Sequence, residues 1–474
     1  MRNNILWSAR AILLLIFALG LYLRYESVVE TVVVKPLRAD AANYFMYAYN
    51  VRLRHTYSPD VKSLTDLKSP VTPDAIRPPG YPLFLTCFVN GPPNKEMIDK
   101  VLIFQAVMSA FTIIVAFLFF KSFLPVLWSL LASLLVALSP HLIAANSYVL
   151  TETLFCLLTV VFGLLITLFW KKPSPCLGII VGIVIGLASL VRVSLQYFWV
   201  ILAFFFIFHF GWRKGSRFSV LILLGFAISF SPWIVRNLIT LKKPTDNKLM
   251  VNFLHHGMYP SFTFQNVTES YGHPYTHDPR SDEISKDIES VLKEIVRRFH
   301  DDTLKHTKWF LLQKPVALWS WDIVNGWGDV FIYQVSKSPY QNRILFQWTY
   351  RLMRAIHWPL VVLCMFGCLL VWFPRSMIGL SEESAFAARF ASLLLIYYTL
   401  LHMVGAPFPR YSVPLRPFLY GMALFTPYLI ISAIRNYRKT REPGSQEAIL
   451  DSMPIAGVGI NSNFQGSAIG AAIH

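Results

Sequence analysis

The stretch VLIFQAVMSAFTIIVAFLFF, residues 101–120, decides the fold. It carries no charge, and only Gln105, Ser109 and Thr112 interrupt its apolar character. A helix rises about 1.5 Å per residue and a hydrocarbon core is about 30 Å thick, so about 20 such residues cross a bilayer. Further runs of this kind lie near Ile5–Leu23, Phe123–Leu138, Leu150–Trp170, Cys176–Leu190, Gln196–Phe210, Phe218–Val235, Ile356–Trp372, Phe390–Val404 and Phe418–Ile434. The expected fold class is an all-α polytopic membrane protein with about ten transmembrane helices.

Composition agrees. The chain has 474 residues, 55% hydrophobic and only 15% charged, where a soluble domain carries about a quarter charged residues. Mean hydropathy is +0.48. The formal net charge of +17 would suggest nucleic acid in a soluble protein. Among apolar runs this long it excludes nucleic acid as the partner and points to anionic headgroups or a phosphate-bearing substrate at the membrane surface. Cys87, Cys156, Cys176, Cys364 and Cys368 form no CxxC pair, which argues against a disulfide framework or zinc site. The first run lacks a small-residue cleavage site and is followed by Arg24 and Tyr25, so it reads as a retained signal-anchor.

Basic residues give the runs a direction. With Arg2 and Arg10 in the cytoplasm, Lys121, Lys171, Lys172, Arg213, Lys214, Arg217, Arg375 and Arg389 fall in short inside loops. Both termini are then inside, and two long segments, about 24–99 and 236–355, are outside. The membrane domain is expected over 1–440. Residues 441–474 are polar and Gly/Ser/Asn-rich and read as a cytoplasmic tail with little fixed structure. In the first outer segment Ala39–Leu53 predicts a helix lying on the membrane, with Tyr44, Tyr47 and Val51 at helical spacing. In the second, Ile284, Ile288, Val291, Ile295 and Phe299 mark one face of an amphipathic helix with Ser281 as its N-cap. Trp319, Trp321, Trp327 and Phe331 read as an interfacial platform.

The chain has no P-loop, GxGxxG, HExxH or GxSxG motif. No cofactor is expected, and a divalent metal stays open. What remains are acids and arginines at the outer ends of spans. Asp40 reads either as a general base at the interface or as an ordinary acid at a helix N-terminus. Glu152 enters a span, where an acid is costly, or serves its helix start. Arg77-Pro-Pro-Gly80-Tyr81-Pro82 is a rigid turn, with glycine read as permitting the bend. Arg192, Arg236 and Arg410 share the outer face, which suits a lipid phosphate bound by paired, charge-assisted hydrogen bonds. Singly, each arginine can also snorkel to headgroups.

The ordered set resembles the GT-C glycosyltransferases, of the type of the bacterial relatives of protein O-mannosyltransferase and of the aminoarabinose transferase acting on lipid A. The residues that carry it are Arg38, Asp40 and Tyr44, the 77–82 turn, Thr151-Glu152-Thr153, Ser231-Pro-Trp-x-x-Arg236-Asn237 and Arg410-Tyr411-x-x-Pro414. The resemblance implies a GT-C fold with interfacial helices in the first outer loop and a structured second loop. It also implies inverting, single-displacement transfer of a sugar from a polyprenyl-phosphate donor to a glycan, lipid or protein acceptor. Asp40 and Glu152 would be the catalytic acids; Arg38, Tyr44, Arg77, Tyr81, Arg192, Arg236, Arg410 and Tyr411 would bind substrate. One departure is that Ala41 follows Asp40 where the protein mannosyltransferases carry Asp-Glu, which argues against the protein-modifying branch. The implied location is a bacterial inner membrane, among its lipids, with the site on the periplasmic face and a role in lipopolysaccharide or glycan modification. The competing reading is a transporter or flippase of a lipid-linked or anionic solute. That reading favours mid-span charges and paired repeats, neither of which the sequence has.

Overall fold

The computed structural model describes residues 2–66, 68–375 and 379–439. The tail expectation for 441–474 falls outside them. The chain divides into two units, Met1–Tyr428 and Leu429–His474. In the second, the described residues are the end of the last helix.

The long helices of the membrane region are α1 (Arg2–Glu30), α3 (Lys95–Phe120), α4 (Val126–Leu138), α5 (Glu152–Lys171), α6 (Pro175–Val191), α7 (Phe198–Phe210), α8 (Trp212–Leu241), α11 (Ile344–Leu370), α12 (Glu382–Val404) and α13 (Arg416–Lys439). Three further helices, outside the membrane region, are α2 (Ala39–Arg54), α9 (Lys248–Gly257) and α10 (Ile288–Asp301), beside several shorter ones. Among the described residues, eight helical stretches are long and apolar enough to cross a membrane, and nine if α4 and the bent Pro140–Ser147 piece form one span. α6 is a shorter apolar helix. Each of the ten apolar runs is therefore a helix, and the protein is an integral, multi-pass membrane protein.

Local chemistry sets the ends. Asn94 accepts from the Met97 amide at the start of α3, and Ser174 followed by Pro175 opens α6. The bend after α4 has a definite cause. Pro140 has no N–H to give to the carbonyl of Val136. The buried Arg24 of α1 donates instead, from Nη2 to Val136 O at 3.0 Å and from Nη1 to Ala137 O at 3.1 Å, with Nε on Ser109 Oγ at 2.7 Å. An apolar bundle offers those carbonyls no water, so a side chain must satisfy them.

The two long connecting segments, 31–94 and 242–343, gather at one end of the bundle. They are joined by an antiparallel ribbon of Val32–Val33 with Val335–Lys337. Two expectations change here. α2 does not simply lie on a membrane surface, because Ala41, Tyr44, Phe45, Met46, Tyr47, Ala48, Tyr49 and Asn50 are buried around most of its circumference. The amphipathic helix is also shorter than its apolar pattern. A break at Ser285–Asp287 separates Ser281–Ile284 from α10, and Asp287, not Ser281, caps α10 by accepting from the Ser290 amide at 2.8 Å. The apolar face of α10 packs through Val291, flanked by Ile288 and Ile295, into a small core with Val251, Leu254, Met258, Tyr259 and Ile284.

Candidate active site

Between these segments and the ends of the helices lies a cavity of about 460 Å³. Asp40 lines it, one residue after Ala39, whose φ of 46° places a non-glycine residue in the left-handed region. Such a residue costs about 1–2 kcal/mol and persists where surrounding packing enforces it. Arg77 Nη2 donates to Asp40 Oδ1 at 2.5 Å and Arg410 Nη1 to Oδ2 at 3.0 Å. Burial alone would raise the pKa of Asp40, but the charges of Arg77 and Arg410 outweigh it and hold the carboxyl below its ordinary value.

Arg410 is shared. Its Nε donates to Glu152 Oε1 at 2.5 Å, and Arg192 Nη2 stands 3.5 Å from the same oxygen. Glu152 is 1% exposed and does not line the cavity. It holds Arg410 from behind the lining. Three guanidiniums thus meet two carboxylates, leaving one positive charge in excess. Arg192 Nη1 and Glu152 Oε2, both buried, have no hydrogen-bond partner. Arg192 also stands over the ring of Tyr411, 5.2 Å from its centroid, and Arg77 over that of Tyr44 at 5.6 Å.

The sequence candidates divide by place. Arg38, Asp40, Arg77, Arg410 and Tyr411 line the cavity, with Arg38 over the ring of Tyr333 at 5.4 Å. Glu152, Arg192 and Tyr44 lie directly behind them. Arg236 and Tyr81 lie outside the lining. Arg236 donates to Asp74 O at 2.6 Å and Tyr57 O at 3.1 Å, and so fastens the end of α8 to the first segment. Tyr81 is buried, with its hydroxyl on Gln105 Oε1 at 2.6 Å. Gly80 serves close packing and not a bend, since a Cβ there would stand 2.7 Å from the backbone of Leu190 and Val191 at the end of α6. The turn that carries Arg77 is therefore held against the end of α6, next to Arg192.

The second segment supplies cavity residues that motif reading passed over: Leu249, Asn252, Phe253 and His256 on α9, then Tyr275, Asn325 and Tyr333; Trp327, expected in an interfacial platform, joins them in the lining. The α9 set was legible as a pattern, because positions 249, 252, 253 and 256 share one helical face. The opposite face, Val251 and Leu254, enters the core. α9 comes close to the loop before Arg410 because Gly257 and Gly405 have no side chains. A Cβ on Gly257 would lie 2.3 Å from the Gly405 backbone, and one on Gly405 would lie 2.1 Å from the ring of Phe253. Trp309 Nε1 closes the joint on Gly257 O at 2.9 Å. Among the described residues, no three His, Cys, Asp or Glu side chains group as metal ligands.

Residues 77–235, from the cavity turn to the outer end of α8, match the family model described as dolichyl-phosphate-mannose-protein mannosyltransferase. The oligosaccharyltransferase of Archaeoglobus fulgidus, solved tethered by a disulfide bond to an acceptor peptide containing the NVT sequon, matches with a TM-score of 0.50 at 13% identity, over 94% of this chain and 53% of that one. The chain has the fold of the GT-C glycosyltransferases. The family match spans about a third of the chain. A second structure, of the archaeal oligosaccharyltransferase AglB from the same organism with an inhibitory peptide and a dolichol-phosphate, gives a TM-score of 0.48 at 11% identity, over 95% of this chain and 52% of that one. The chain spans about half the length of these solved proteins. None of the curated proteins matches it in sequence. In this GT-C bundle the Asp40 cavity lies where both long segments meet the helix ends, and it contains the start of the family match, Arg77.

Proposed function

We propose that this GT-C protein transfers a sugar from a polyprenyl-phosphate donor to an acceptor hydroxyl in one inverting displacement. The observation that carries the reading is Asp40, held in the cavity between Arg77 and Arg410. The acceptor oxygen attacks the anomeric carbon, the bond from that carbon to the phosphate oxygen breaks, and its electron pair leaves with the polyprenyl phosphate. The hydroxyl proton passes to Asp40. The excess positive charge of the Arg77, Arg192 and Arg410 cluster stabilises the departing phosphate.

A carboxylate paired with two arginines is a weak base. A donor phosphate competing for Arg77 and Arg410 removes the charges that depress Asp40, so donor binding itself raises its basicity. The donor class follows the matched family's description, which names a dolichyl-phosphate sugar. The compact loops and the family resemblance favour a bacterial inner membrane, and the basic-residue bias of the short loops puts the cavity on its outer, periplasmic side.

The test is binding of polyprenyl phosphate to purified protein in lipid nanodiscs. Binding that weakens at least about tenfold in Arg410→Ala is expected, since a charged hydrogen bond is worth roughly 1.5–3 kcal/mol. Equal affinity in wild type and Arg410→Ala would remove the phosphate clamp.

A further inference from the structure

We propose that the acceptor is a carbohydrate, bound by ring faces and hydroxyls on the wall of the cavity built by Asn252, His256, Tyr275, Asn325 and Trp327. The inference rests on the transfer reading and names the substrate that the cavity receives.

The cavity is divided by charge. Arg38, Asp40, Arg77 and Arg410 are the charged residues of its lining. They suit the donor phosphate and the reacting hydroxyl. The wall contributed by α9 and by residues 273–334 has no carboxylate, lysine or arginine in the lining. It presents aromatic rings, carboxamides and imidazoles, with the aliphatic Leu249 and Ile332 among them. His256 lies flat on Tyr275, ring centroids 3.7 Å apart at 8°. His273 Nδ1 meets the Tyr275 hydroxyl at 3.1 Å, which fixes that ring in turn. Burial, together with His255 and His273 nearby, pushes the pKa of His256 down to about 3, so it is neutral at physiological pH.

Each group fits a pyranose. A sugar ring presents C–H groups on its faces and hydroxyls around its rim. Aromatic surfaces cover the former. Carboxamides and neutral imidazoles donate and accept, as hydroxyls require. Trp327 is a large aromatic ring left 56% exposed at this wall. Asn325 Oδ1 is a buried acceptor with no partner. An unsatisfied buried acceptor beside an open cavity is poised for a ligand donor. The volume of about 460 Å³ is within the range of about 300–1,000 Å³ for small-molecule sites. An anionic acceptor would want a cation on this wall, which has none in its lining.

The experiment uses full-length protein in nanodiscs, without donor, and saturation-transfer NMR against two panels: neutral di- to tetrasaccharides, and Ser/Thr-containing peptides. Polyprenyl phosphate binding is measured in parallel. Saccharide binding that weakens about five- to tenfold in both Trp327→Ala and Asn252→Ala, with polyprenyl phosphate affinity unchanged, is the expected result. Peptides binding in a Trp327-dependent way, or no saccharide in the panel binding, would overturn the proposal. Loss of polyprenyl phosphate binding from wild type would count against the transfer reading, while the saccharide measurement would still report on the wall. A thermal melt of each variant separates lost contact from lost folding, and Trp327→Phe should restore much of the binding.

Discussion

Arg410 Nε lies 2.5 Å from Glu152 Oε1, across 258 residues of sequence. That contact ties Glu152, expected as a second catalytic acid, to the arginine that also holds Asp40. Glu152 is 1% exposed, so its charge is tolerated only because Arg410 and Arg192 compensate it. Glu152→Gln should therefore destabilise the protein by about 3–5 kcal/mol, the usual cost of stranding a buried partner. It should also lower transfer. Thermal unfolding in detergent, read beside turnover, checks both; unchanged stability would show that Arg410 is held by other means.

The arginines of the outer ends should separate in their effects. Arg410→Ala should weaken polyprenyl phosphate binding. Arg236→Ala should leave that affinity within about twofold and cost roughly 1–3 kcal/mol of stability, since its hydrogen bonds go to the carbonyls of Tyr57 and Asp74. A donor-binding defect in Arg236→Ala equal to that of Arg410→Ala would contradict this division.

Asp40 titrates below its ordinary value because Arg77 and Arg410 outweigh burial. For a depressed carboxyl, the stabilisation is fully present above the unfolded pKa of about 3.9 and is lost as pH falls through the lower folded value. Wild-type transfer should consequently keep its acid limb below about pH 4 before donor binds, as read from kcat/KM. Arg77→Ala removes the largest of the lowering charges, so its acid limb should move upward. A pH profile of kcat/KM that does not shift in Arg77→Ala would rule out this coupling.

The joint at Gly257 and Gly405 carries α9 to the loop before Arg410. Gly257→Ala forces a methyl onto backbone and should cost about 1–3 kcal/mol by overpacking. Gly91→Ala, with open space around it, should be near neutral. Comparative thermal melts of the two variants decide.

Much of this was legible in the sequence, for physical reasons. The spans show because about 20 uncharged residues have few uses outside a bilayer. Asp40, Glu152 and Arg410 stand out because ions at span ends are costly. Pairing was not legible: no local signal says that Arg410 bridges two acids or that Arg236 turns to backbone carbonyls. The work of Arg24 was hidden for the same reason, since its need arises from Pro140, far along the chain. Gly80 looked like a bend because glycine permits one, yet its cause is the approach of α6, a tertiary fact. Asn252 and His256 carried a helical spacing but no motif, so they emerged only with the cavity.

The central claim is that the carboxylate of Asp40 takes the acceptor proton while arginines hold the donor phosphate. Its most direct test is sugar transfer by purified Asp40→Asn protein in nanodiscs, beside polyprenyl phosphate binding. The account predicts transfer lowered by about 10²–10⁴-fold, with donor binding retained and folding intact. Transfer at the wild-type rate by Asp40→Asn would contradict it.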